Sequence, residues 1–297
     1  MVSDEEAGER VDRLVVLHVP GLGRRGAREL FAAGAVTIDG RHGLAGATAR
    51  AGSQIEVTLT DEHPLPEPAL PLDVRLERAT LLVVHKPASQ PTAPLHAGEH
   101  GTLVNALLAR YPALTGVGYR AREPGLVHRL DTETSGLVLV ARTGAAFDML
   151  TRALRAGRLA KRYLAITATV GLPPEGVVDG ALGPDPTRRG RVRVVPNPAK
   201  DYARAAETRY RVLETTPRFT LLELEVARAF RHQIRAHLAA IGAPLVGDAL
   251  YAGAEWPGAG ARHALHASYV AWAGDRTEAS FEVNAALPDD MRRLLGG

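Results

Sequence analysis

HRLDTETSGLVLVA, residues 128–141, puts an acidic turn directly ahead of an uninterrupted apolar run. A short apolar run behind turn residues is the pattern of a strand buried on both faces, so Leu137 to Ala141 are predicted to form an interior strand. Asp131 then has two readings. It either helps turn the chain before the strand or does chemistry, and this stretch alone leaves both open.

Working outward, strands and helices alternate. TLLVVHKP (80–87) reads as an apolar strand stopped by Pro87. TLVNALLARYP (102–112) reads as a helix capped by Thr102 and ended before Pro112. GAAFDMLTRALRAG (144–157) is amphipathic, with Phe147, Leu150 and Leu154 on one face. KRYLAITATV (161–170), RYRVLETT (209–216), FTLLELEVA (219–227) and ASFEVNAAL (279–287) read as strands. Many carry one apolar and one polar face, which suits a largely antiparallel sheet.

DEHPLPEPALPLD (61–73) holds four prolines and is predicted to be a stiff linker. It separates a front piece, residues 10–60, from a body at 74–297. In the front piece ARELFAAG (27–34) reads as a helix closed by Gly34, AVTIDGR (35–41) as a strand entering an Asp-Gly turn, and GSQIEVTLT (52–60) as a strand with Ile55, Val57 and Leu59 on one face. Arg24, Arg25 and Arg28 lie at or near the helix start. Cations there oppose the helix dipole, so they fit a phosphate-contacting role better than a stabilising one.

Composition excludes whole classes. The 297 residues include no cysteine, which removes disulfides, cysteine–zinc sites and thiol nucleophiles. No run of 18 apolar residues is present, so no membrane span is expected. MVSDEEAGER lacks the apolar core of a signal peptide, and a cytoplasmic protein is predicted. Net charge is only +3, but its distribution is uneven. Residues 142–162 and 187–204 each carry six basic side chains against one Asp, a pattern suited either to a polyanion or to a solvated face.

Three motifs are weighed and set aside. GLGRRG (21–26) formally fits a dinucleotide loop, with a strand-like stretch before it and a helix after. The front piece is nevertheless too short for the fold that such a loop needs, so no dinucleotide is expected. Histidine pairs at 96/100, 232/237 and 263/266 lack a metal-site pattern, and no metal is expected. Ser135 beside His128 and Asp131 mimics a hydrolase triad, but members so close in sequence rarely meet in space. More informative is ARAFRHQIRAHL (227–238). If it is helical from His232, then Arg228, Arg231 and Arg235 form one cationic stripe.

Taken together, HRLDTETSGLVLVA, KRYLAI (161–166) and RHQIRAHLAAIGAPLVGDALY (231–251) resemble the three motif blocks of the RluA-type pseudouridine synthases. LLVVHKPASQPTAP, GTLVNALLARYP, ARHALHASYVAW and FEVNAALPDDMRRLL resemble the supporting segments in order. The resemblance covers residues 74–295, and residues 10–60 resemble the small RNA-binding domain often fused ahead of this catalytic domain. It implies an α+β pseudouridine synthase fold. That fold has a large mixed, mainly antiparallel sheet with flanking helices and a central cleft, behind a small N-terminal α/β domain.

The resemblance also implies roles. Asp131 is the catalytic carboxylate, Arg235 its ion-pair partner, and Tyr163 the ring that stacks on the uracil. Arg129 fills the space left by the flipped base, and Ile234 walls the pocket. His232 and Lys161 join Arg24, Arg25 and Arg28 among the RNA-contacting residues. Lys161 and Lys86 are given supporting rather than chemical roles. No cofactor is needed, because the isomerisation is redox-neutral. Structured RNA is the expected partner, with large-subunit ribosomal RNA ahead of transfer RNA, and a monomer is expected. The alternative class is a non-catalytic RNA-binding or ribosome-assembly protein on the same fold. Three positions depart from the family: Thr132 where Arg is common, Ala229-Phe230 where Gly-Arg is usual, and Ser89 where Gly is usual.

Overall fold

A computed structural model of the chain describes residues 1–19, 22, 24–58, 63–196, 203–257, 262–275 and 280–296. The chain divides into two compact units, Met1–Glu62 and His63–Gly297.

The first unit holds helices α1 (Val11–His18) and α2 (Arg24–Ala32) and strands β1 (Val36–Ile38), β2 (Arg41–His42) and β3 (Ile55–Val57). The strands form an antiparallel sheet in the order β2-β1-β3. The stretch expected to be strand-like ahead of Gly21 is α1. Val11, Leu14 and Val15 are buried at helical spacing and pack with Phe31 of α2, so tertiary contact overrides the β preference of the valines. The expected Asp-Gly turn is present. Asp39 and Gly40 both have positive φ, 50° and 73°, as a two-residue hairpin turn requires. The Asp39 carboxylate accepts hydrogen bonds from Gln54 N at 2.7 Å and Ser53 Oγ at 3.0 Å, which steadies a non-glycine residue there. Leu59 of the expected third strand lies outside the described residues, as do Gly21 and Gly23 of the glycine loop.

The second unit contains β4 (Asp73–Glu77), β5 (Leu81–Lys86), α3 (Leu103–Arg110), β6 (Ser135–Ala141), α4 (Gly144–Arg155), β7 (Leu159–Thr167), β8 (Glu175–Asp179), β9 (Leu182–Pro184), β10 (Val192–Val194), β11 (Glu207–Thr215), β12 (Thr220–Glu225), α5 (Gln233–Ala240), β13 (Leu265–Trp272), β14 (Phe281–Asn284) and α6 (Asp289–Gly296). Its large sheet runs β4-β5-β6-β13-β7-β12-β11-β8. Every pairing along that order is antiparallel except β6 with β13. β14 pairs with the second half of β13, and β6 meets the first half.

The interior position predicted for Leu137–Ala141 is what the sheet shows, since every residue of β6 is buried. Its side chains serve two layers. Val138 and Val140 pack with Leu82, Val84 and the α3 residues Leu103 and Leu107. Leu137 and Leu139 pack with Leu81, Val83 and the α4 residues Phe147 and Leu150. Burial on both faces explains the unbroken apolar run.

Sequence placed a linker at 61–73. Asp61 and Glu62 lie outside the described residues, and the rest falls in the larger unit. Leu65 O accepts from Asn105 Nδ2 at 2.7 Å, and Glu67 N donates to Asn105 O at 3.0 Å. The segment is therefore held against α3. The basic stretch 142–162 is also less uniform than its composition suggests. Arg142 donates to Arg78 O at 2.7 Å, Arg162 pairs with Glu223 at 3.4 Å, and Lys161 is buried. Among the described residues no helix is long and apolar enough to cross a membrane.

Candidate active site

Register across the sheet brings the motif blocks together. Gly136 of β6 is level with Ala267 of β13, and Ala267 is level with Tyr163 of β7. The turn carrying Asp131 sits just before β6, and α5 carries Arg235. Asp131, Tyr163, His232, Ile234, Arg235 and Arg129 all line one cavity of about 60 Å³. Its wall includes the partly exposed Phe230.

Arg235 is the centre of the charge arrangement. Its Nη1 donates to Asp131 Oδ2 at 2.9 Å. Its Nε and Nη2 donate to the two oxygens of Asp248 at 2.7 and 2.8 Å. Burial works against the guanidinium charge, but Asp248 first and then Asp131 raise its pKa above the ordinary arginine value. Burial also pushes the Asp131 carboxyl up. His232, Arg235 and His263 outweigh that and hold it below its ordinary value. His232 and His263 are themselves lowered by burial, His263 to about 4, so at neutral pH Arg235 supplies the permanent cation. The Asp131 side chain keeps 28% exposure, against 1% for Asp248. One carboxylate faces the cavity and the other is sealed behind the arginine.

Asp248 lies within the third block, and the sequence reading misses its role. Its signal was an acid in the otherwise apolar context PLVGDALY. Asp248→Asn removes one charge from a buried ion pair and is expected to cost about 2–4 kcal/mol of stability, read as a lowered urea midpoint. It also frees the Arg235 fork to rotate, so kcat/KM is expected to fall about 10- to 100-fold.

The Asp131 turn is pinned from below. Lys86 Nζ is fully buried and donates to Pro87 O, Gln90 O and Thr132 O at 2.8, 2.7 and 3.0 Å. Thr92 Oγ1 donates to Leu130 O at 2.7 Å. Burial pulls the Lys86 pKa down to about 7. The unfolded chain therefore holds more protons than the folded one between pH 7 and the ordinary lysine value of about 10.4, so stability rises with pH across that window. In Lys86→Met the rise in urea midpoint from pH 7 to pH 9.5 is expected to be smaller than in wild type.

The departures find local accounts. Ser89 has φ +62°, a left-handed conformation that favours glycine, and its hydroxyl donates to Glu133 Oε2 at 2.8 Å. Thr132 has an exposed side chain and serves through its carbonyl. Ala229 and Phe230 line the cavity. Arg129 is half exposed and held by Glu123 at 2.7 Å.

The cationic stripe is not formed. α5 starts at Gln233, and His232 ahead of it has φ +54°, so Arg228 and Arg231 precede the helix and do not share a helical face with Arg235. The triad geometry is absent too. Ser135 Oγ bonds His266 Nδ1 at 2.8 Å, while His128 Nε2 accepts from Leu139 N at 3.2 Å. Tyr163 is 5% exposed, and burial, then Asp131, push its hydroxyl pKa well up. Arg28 is exposed in the first unit, and the side chains of Arg24 and Arg25 lie outside the described residues.

Asp131, its buried partner Arg235 and the Tyr163 ring thus meet in one cavity on the mixed sheet. Residues 80–240 match the family model for RNA pseudouridylate synthase, and the chain belongs to that family. It is therefore a pseudouridine synthase, an isomerase acting on RNA. An uncharacterized RNA pseudouridine synthase of Chloroflexus aurantiacus is 39% identical, over 99% of this chain and 92% of that protein. The ribosomal large subunit pseudouridine synthase D of Xanthomonas campestris is 33% identical, over 99% of this chain and 90% of the relative. Among solved structures, human RNA pseudouridylate synthase domain containing 1 superposes with a TM-score of 0.59 at 26% identity, covering 73% of this chain and 83% of that one.

Proposed function

We propose that this enzyme isomerises uridine in large-subunit ribosomal RNA, with Asp131 as the reacting carboxylate. The observation carrying the chemistry is the 2.9 Å Arg235–Asp131 bond inside the cavity that Tyr163 also lines. Arg235 keeps the carboxylate charged where desolvation would neutralise it. Tyr163 presents a ring face for the uracil, and Ile234 an apolar wall. Arg129, on the cavity wall, is assigned to the space a flipped base leaves. The choice of ribosomal RNA is supported by the relatives named large-subunit synthase D, similar along nearly the whole chain.

Mapping pseudouridines in cells with and without the gene tests the target. Loss of a site in large-subunit ribosomal RNA is expected. Loss confined to transfer RNA would move the substrate there, and no loss in any RNA would end the proposal. The first unit, with Arg24, Arg25 and Arg28, is assigned to RNA binding. Deleting residues 1–60 is expected to raise the RNA concentration giving half-maximal rate, with the single-turnover rate at saturation held within about threefold. A fall in the saturated rate would contradict that assignment.

A further inference from the structure

Beside the catalytic cavity lies a larger one of about 460 Å³, and Val226 and Phe230 line both. Lys161 lines the larger cavity. It stands two residues before Tyr163 on β7, so both side chains leave the same face of the strand, about 7 Å apart at the backbone. Lys161 is 5% exposed, and its ammonium has no hydrogen-bond or ion-pair partner among the described residues.

The side chain is mostly buried and its ammonium lines the cavity unpaired, where an anion entering the cavity would meet it with little competing charge. Burial is the one cause that lowers its pKa, to about 8, with no carboxylate acting against it. The acids on the cavity rim do not fill the role. Glu207 is tied to Arg209 at 2.8 Å, and Glu225 has an exposed side chain. Arg162 is already paired with Glu223, but Arg228 is exposed at the rim. The shared wall, Phe230, is a partly exposed aromatic ring with the Arg204 guanidinium 5.7 Å from its centroid, and bases of any sequence stack on such rings.

We infer that this chamber is a nucleotide subsite that takes the RNA residue next to the target uridine, with the intervening phosphate on Lys161 and its base against Phe230. Arg228 extends the anion site to the surface. The subsite gives the enzyme a hold on the backbone beside the flipped nucleotide, and it places Phe230, a departure from the family pattern, in base contact. The inference rests on reading the smaller cavity as the uridine site.

The test compares two probes on the full chain, the dinucleotide UpU and its neutral methylphosphonate-linked analogue, by equilibrium titration. Wild type is expected to prefer the charged probe at least tenfold. Lys161→Met is expected to reduce that preference below twofold while still binding the neutral analogue, which also reports that the cavity is folded. Phe230→Ala is expected to weaken both probes equally, about tenfold. A wild type without the preference, a Lys161→Met variant that retains it, or no binding of either probe at millimolar concentration would overturn the subsite. Tritium release separates this from the reading of the smaller cavity. If wild type releases tritium but Lys161→Met keeps its charge preference, the subsite alone fails. If no RNA releases tritium while the preference is lost in Lys161→Met, the uridine reading fails and the anion site stands.

Discussion

Asp131→Asn is expected to abolish tritium release from uridine-labelled RNA, by on the order of 10⁴-fold or more in single turnover, while leaving the chain folded. The amide is close in size to the carboxylate but supplies neither a nucleophile nor a proton acceptor of useful strength. Stability should change little. The Asp131 side chain is 28% exposed, and Arg235 keeps both bonds to Asp248 when Asp131 is neutralised. Loss of rate without loss of the urea midpoint distinguishes chemistry from unfolding. Equal release by wild type and variant would remove Asp131 from the mechanism. The wild-type pH profile supplies a second reading of the same group. Asp131 is held below the ordinary aspartate value of about 3.9, so its titration should not reduce kcat/KM between pH 8 and pH 5.

Gly136→Ala is expected to be the most damaging neutral substitution in the first motif block. Gly136 has φ +119°, and an added Cβ would stand 2.2 Å from Ala267 O and 2.5 Å from Ala267 N. Backbone cannot swing aside as a flexible side chain can, so β6 must part from β13. That seam is short, with only Ser135–His266 and Gly136–Ala267 in register. Two buried side-chain bonds brace it, Ser135 to His266 at 2.8 Å and Thr134 to His263 at 2.7 Å. A loss of roughly 4–5 kcal/mol or more is expected, seen as a Tm lowered by about 10 °C or as insoluble protein. Because β13 separates β6 from β7, any variant that folds also moves Asp131 away from Tyr163 and should lose rate. Gly144→Ala is the control. No atom lies within 4 Å of a Cβ there, and α4 begins at that residue, so the change should be neutral or slightly stabilising.

Several elements were legible because their causes are local. Thr102 caps α3 through a bond from Asn105 N, Pro87 follows the end of β5, and the period of Phe147 and Leu150 marks the buried face of α4. Asp131, Tyr163 and Arg235 were legible through the motif blocks that hold them. α1 differs from the strand its valines favour in isolation because packing against α2 makes them helical. The expected stripe of Arg228, Arg231 and Arg235 failed for a different reason. Where a helix starts depends on its first turn, and the left-handed residue His232 sets that start in the folded chain.

Sequence by itself determined that residues 137–141 are an interior strand and that an acid precedes it, since a five-residue apolar run behind turn residues is too short for a buried helix. It also determined, by resemblance, the family and the three residues to examine. Only the tertiary structure decided that Asp248 holds the far side of Arg235, that Lys86 pins the Asp131 turn through a carbonyl, and that Lys161 is buried without a partner. The physical reason is common to all three. Charge state and hydrogen bonding inside a protein depend on what lies within a few ångströms, and the partners here come from segments tens of residues apart or, for Lys161, are absent from the described chain.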